Sequence, residues 1–246
     1  MWFSKKRAEC PVAEESRIWL ENSLLFLSNK FGFDIITNSY IFTPENINIS
    51  NYKDLELCYH IVDILSKNYG IEGSLVEFLI FDTPPKTIEM DLGYSITLEN
   101  SKKNTPAGIY FGKKGEKYQI GIDKNILKEP YYLTAIISHE LSHIKLINQI
   151  PERVEDEELT DIATLFFGTG IFNANICFIW INNQSGWGYE RYGYLTPNEW
   201  AYLFALHSYM RDDFSPNWIK FLNKELQAST SKALAYININ RDKVMV

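Results

Sequence analysis

Leu133 to Asn148 reads LTAIISHELSHIKLIN, and its centre, His139-Glu140-Leu141-Ser142-His143, has the pattern H-E-x-x-H. On a helix, residues four apart share a face, so the two imidazoles can reach one tetrahedral metal ion. Glu140 then stands beside the ion, where a carboxylate can take a proton from water. The flanks Ile136-Ile137 and Leu141-Ser142 are uncharged, as a helix in a core requires, and the motif uses two of the four histidines in the chain. Pro130 suits the first turn of this helix, which the sequence predicts to run to about Asn148.

Such a site needs a third protein ligand. Pro151 forbids continuation of the first helix and pushes Ile150 out of helical geometry. A second helix is expected from near Arg153, giving a tight antiparallel pair in which residues equidistant from the turn face each other. His143 and Glu157 each lie seven positions from 150, and His139 and Asp161 each lie eleven from it. This register places one carboxylate to bind the ion and another to hold a ligand imidazole in its working tautomer. Glu158 is the rival ligand and Asp161 a further alternative. The ordinary reading of Glu155, Asp156, Glu157 and Glu158 is a helix N-terminus that favours negative charge. Two imidazoles and one carboxylate are a donor set that suits zinc.

Glu157-Glu158-Leu159-Thr160-Asp161 resembles the E-x-x-[ST/A]-D signature on the glutamate helix of gluzincins, the thermolysin-like branch of the zincin metallopeptidases. The resemblance covers about Leu133 to Gly170. It implies a zincin-like α+β fold, with a small β-sheet or hairpin beside the H-E-x-x-H helix and a mostly helical C-terminal part. It also implies that Glu157 is the third zinc ligand, that Asp161 supports His139, and that Glu140 is the general base of peptide-bond hydrolysis.

Two short β-prone runs, Ile109 to Phe111 and Tyr118 to Ile122, flank Gly112-Lys113-Lys114-Gly115-Glu116 and read as a hairpin. Zincins add an extended substrate to a strand edge beside the active helix, and Tyr118 to Ile122 is the candidate strand. They also need an oxyanion-stabilising group. Tyr194 is the first candidate, with Arg191, Tyr192 and His207 as alternatives. The ordinary readings are a core-edge aromatic for Tyr194 and a hydrogen-bonded helix residue for His207. His60 reads as structural.

Elsewhere, helices are expected over 13–30, 54–68, 197–210 and 217–227, and a strand over 75–81. No repeat or low-complexity linker interrupts the 246 residues, so a single domain is expected. Its parts are N-terminal helices and strands (13–125), the active-site helix pair (about 130–175) and C-terminal helices (about 196–236). Net charge is −7 and the one basic run is Lys5-Lys6-Arg7, which argues against a nucleic-acid partner. Three scattered cysteines without a CxxC pair suggest a reducing compartment, and no signal-peptide core can be drawn near the N-terminus, so a cytoplasmic location is expected. The uncharged run from Ile162 to Ile181 has the length of a membrane span, but Asn173, Asn175 and two glycines interrupt it. A buried continuation of the glutamate helix is expected instead.

The sequence therefore points to a zinc-dependent peptidase acting on a peptide or protein substrate of unspecified sequence and oligomeric state. The alternative is a zinc-stabilised binding module with little turnover.

Overall fold

The computed structural model describes residues 9–47, 52–82, 87–89, 95–97, 106–153, 155–183, 186–190 and 192–244. The described residues are mostly helical with a small three-stranded sheet, an α+β composition. The chain divides into two compact units, Pro44–Asp156 and a second formed by Met1–Thr43 with Glu157–Val246.

The first unit holds α3 (Asp54–Tyr69), β1 (Val76–Phe81), β2 (Thr87–Glu89), β3 (Ser95–Thr97), β4 (Gly108–Lys114), β5 (Lys117–Asp123) and α4 (Pro130–Gln149). The sheet order is β1-β5-β4, with β1 parallel and β4 antiparallel to β5. The expected hairpin is present, but its turn is only Gly115-Glu116, because both strands extend further than their β-prone cores. One expectation is corrected here. Tyr118 to Ile122 lies in the central strand, paired on both sides, so its backbone cannot accept an added substrate strand. Among the described residues, β1 and β4 are the edges of this sheet. A parallel pairing between strands separated by some forty residues leaves no local mark in the sequence.

Helix α4 starts at Pro130, whose missing N–H costs nothing in a first turn, and ends at Gln149 before Ile150 leaves helical geometry. Its inward face carries Leu133, Ile137, Leu141 and Ile144, all fully buried, with Leu57, Ile61 and Leu65 of α3 buried in the same unit. The Tyr69 hydroxyl donates to the Ser138 carbonyl at 2.9 Å and lies 3.1 Å from the Ser142 hydroxyl, fastening α3 to the helix that carries the histidines.

The other unit holds α1 (Glu14–Phe31), α2 (Phe33–Asn38), α5 (Glu157–Phe166), α6 (Gly170–Ile176), the antiparallel pair β6 (Ile179–Asn183) and β7 (Gly186–Glu190), α7 (Pro197–Met210) and α8 (Lys224–Ile239). Helix α7 is its centre: Trp200, Tyr202, Leu203 and Phe204 are buried, against α8, α1 and α5. Thr196 and Glu199 form a reciprocal capping box at its start, which is why it begins at Pro197.

Two helix expectations change. The second helix begins at Glu157 rather than near Arg153, because Pro151–Arg153 forms a short 3-10 turn first. The uncharged run from Ile162 is not one buried helix: α5 stops at Phe166, where the N–H groups of Gly168 and Thr169 turn back onto the carbonyls of Leu165 and Thr164. Among the described residues, no helix is long and apolar enough to cross a membrane. Likewise 217–227 divides into a 3-10 turn, Asn217–Phe221, and the start of α8, which Asn223 caps through the Leu226 N–H.

Candidate metal centre

His139 and His143 occupy one face of α4, as their spacing requires, with ring centroids 4.8 Å apart and planes at 77°. Glu157 opens α5. One ligand atom each from His139, His143 and Glu157 lie within 4.8 Å of one another, and each residue is half-buried. Among the described residues, this is the one such cluster of three His, Cys, Asp or Glu side chains.

A tetrahedral ion with bonds of about 2.0–2.1 Å holds its donors about 3.3 Å apart, so modest side-chain rotation closes this set around a metal. Two imidazole nitrogens and one carboxylate oxygen fit a divalent transition metal better than the all-oxygen sets that magnesium and calcium prefer. The cluster can therefore hold a metal ion. Of the two rival carboxylates, the exposed Glu158 lies outside it, and the one α-helical turn that both open still gains from their negative charge.

Glu140 is 4% exposed, and it faces β4. A β-carbon on Gly108 would lie 2.8 Å from Glu140 Oε1 and 2.2 Å from Ile136 Cγ2, so the first residue of β4 approaches α4 at a distance that only glycine permits. The carboxylate is thus held on the flank of α4 that adjoins an edge strand. Lys145, two residues past His143, is explained by α3. Its Nζ lies 3.8 Å from the β-carbon position of Gly70, the C-cap of that helix, where backbone carbonyls attract a cation. Burial lowers its pKa.

Asp161 is 1% exposed on α5, and its Oδ2 accepts the backbone N–H of Tyr194 at 2.7 Å. This partner lies 33 residues further along the chain and leaves no local mark in the sequence. The Tyr194 side chain itself is 47% exposed. Of its alternatives, Arg191 falls outside the described residues, and Tyr192 is half-buried. His207 is buried in α7 with neither ring nitrogen hydrogen-bonded, so it is not the satisfied helix histidine that was expected. It lines a small cavity with Ile41, Leu165, Ile171, Phe204 and Trp218. His60 stacks on Tyr52, ring centroids 3.9 Å apart. No known protein family, curated protein or solved structure matches the chain.

Proposed function

We propose that the protein is a zinc-dependent peptide hydrolase with a zincin-like fold and a gluzincin-type ligand set, His139, His143 and Glu157. The observation that carries the reading is the proximity of Glu157 to the two histidines that precede and follow the buried Glu140. When bound, the ion would supply Lewis acidity, making water a stronger acid and a carbonyl a better electrophile. Glu140 takes the proton of the attacking water and returns it to the leaving amide nitrogen, the step that an amide demands. Strand β4, an edge strand adjoining α4, takes the place of Tyr118 to Ile122 as the backbone that aligns an extended peptide. Tyr194 donates its phenol to the developing oxyanion. Among the described residues Cys10, Cys58 and Cys177 form no disulfide, which a cytoplasmic setting would require.

The test is metal analysis of protein purified without chelator, joined to digestion of a broad peptide library. One zinc per chain, lost in His143→Ala and Glu157→Ala but kept in Glu140→Gln, is expected, with cleavage abolished in all three. Equal zinc in wild type and His143→Ala removes the metal site. Zinc bound without any cleavage replaces the hydrolase by a metal-binding module.

A further inference from the structure

We infer that Asp161 is a positioning residue that acts through the Gly193-Tyr194 turn, fixing the backbone from which the Tyr194 phenol reaches the metal-site face of α5. The inference rests on the hydrolase reading and gives the carboxylate a task beside the support of His139 that the resemblance to gluzincins implies.

Three observations carry it. Glu157 and Asp161 are four apart on α5 and share a face, separated by one helical turn, about 6 Å along the axis. Asp161 is almost fully buried, and its Oδ2 holds the Tyr194 N–H at 2.7 Å, a charge-assisted bond that water cannot readily exchange. Gly193 adopts φ +94°, and a β-carbon there would stand 3.0 Å from the same Oδ2. The turn is therefore built around the carboxylate: the backbone conformation and the close approach both require glycine. A tyrosine side chain spans a distance comparable to one helical turn, so a backbone anchored at Asp161 lets an exposed phenol swing to the level of Glu157. Without the anchor, the turn that carries Tyr194 loses the contact that fixes its backbone.

Chemically, Asp161→Ala removes the acceptor, whereas Asp161→Asn keeps a carbonyl oxygen at the same place. Hydrogen exchange over 192–195, zinc content, and kcat and KM on a cleaved library peptide are measured for both variants, for Tyr194→Phe, and for Asp161→Ala combined with Tyr194→Phe. Asp161→Ala is expected to speed exchange of the Tyr194 amide about tenfold or more. It should lower kcat about 10- to 100-fold with little change in KM, as displacement of a catalytic group does. Asp161→Asn should recover most of both losses, and Asp161→Ala should add nothing in the Tyr194→Phe background. Zinc stays at one per chain throughout. Loss of zinc in Asp161→Ala, additive effects with Tyr194→Phe, failure of Asp161→Asn to rescue, or unchanged amide exchange each overturns the inference. If Asp161→Ala does not fold, Gly193→Ala pushes the turn off an intact carboxylate and must give the same loss of kcat. Wild-type protein that binds zinc but cleaves nothing removes the hydrolase reading and the catalytic role of the anchor with it. Wild-type cleavage with an unaffected Asp161→Ala removes the anchor alone.

Discussion

Gly108 and Glu140 stand so close that a β-carbon on the glycine would lie 2.8 Å from a carboxylate oxygen of the glutamate. Strand β4 and helix α4 are thereby locked in register at the point where the base would act. Ile136 Cγ2 is closer still, at 2.2 Å, so the added atom cannot be accommodated by moving the carboxylate alone. Gly108→Ala is expected to destabilise the protein by about 1–3 kcal/mol, the usual penalty for overpacking, and to lower any cleavage activity without loss of metal. Urea denaturation beside metal analysis checks it. A variant as stable as wild type would mean that the strand is not held against the helix.

The acidic run before and within α5 gives a sharper test of ligand identity. Glu157 belongs to the donor cluster, and the exposed Glu158 beside it does not. Glu157→Ala should weaken metal binding by more than the roughly 10- to 100-fold that follows loss of a mere supporting partner. Glu158→Ala should leave the affinity within a few-fold. Competition against a chelating dye measures both. The same weakening in Glu158→Ala would show a carboxylate cluster with no fixed ligand.

How much of this was legible follows from the range of each interaction. Helix α4 is written locally, by Pro130 at one end and Pro151 just beyond the other, and the His139, His143 and Glu157 cluster follows from helical spacing plus a short connection. The run from Ile162 to Ile181 misled because hydropathy records burial and not chain direction. Three successive segments, α5, α6 and β6, are apolar for separate reasons. The central place of β5 depends on its parallel pairing with β1, and the partner of Asp161 depends on a turn before α7. Neither leaves a periodic signal.

Cysteine chemistry tests the burial pattern independently. Cys58 and Cys177 are buried, and burial pushes the Cys58 thiol up to about 12. Cys10 is half-exposed, though partial burial raises its pKa as well. Iodoacetamide at neutral pH should therefore modify Cys10 slowly and spare the other two until the protein unfolds, because the thiolate is the reacting form. Mass spectrometry of the native and urea-unfolded protein reads the result. Rapid native labelling of Cys58 would contradict the packing of α3.

The unit built around α7 contains an ion pair whose removal should be costly. Glu21 is fully buried, accepts from Arg17 Nη1 at 2.8 and 3.1 Å, and accepts the Tyr202 hydroxyl at 2.5 Å. Arg17 also donates to the Lys243 carbonyl, tying the C-terminal turn to α1. Glu21→Ala leaves the Arg17 guanidinium only the exposed Glu14, 3.9 Å away, as counter-charge and should cost about 3–5 kcal/mol. Tyr202→Phe, which removes one neutral donor, should cost only about 1–3 kcal/mol. Equal losses in the two variants would mean that the tyrosine contact, rather than the ion pair, dominates.

His207 makes stability depend on pH with a definite sign. Its ring is fully buried, and desolvation, aided by the positive charge of Arg211, lowers its pKa to about 3. In the unfolded chain the same imidazole titrates near its ordinary value of about 6.5. Between those values the unfolded state binds the extra proton, so stability present above pH 6.5 is lost as pH falls toward 3. For one proton the limiting slope is about 1.4 kcal/mol per pH unit. His207→Leu removes this group, while the carboxylates that also weaken the protein in acid remain in both forms. Urea midpoints followed from about pH 7 to about pH 4.5 should therefore show the variant gaining about 2–3 kcal/mol on the wild type. A difference between the two proteins that stays constant over that window would mean that the ring is protonated in the native state or reached by water.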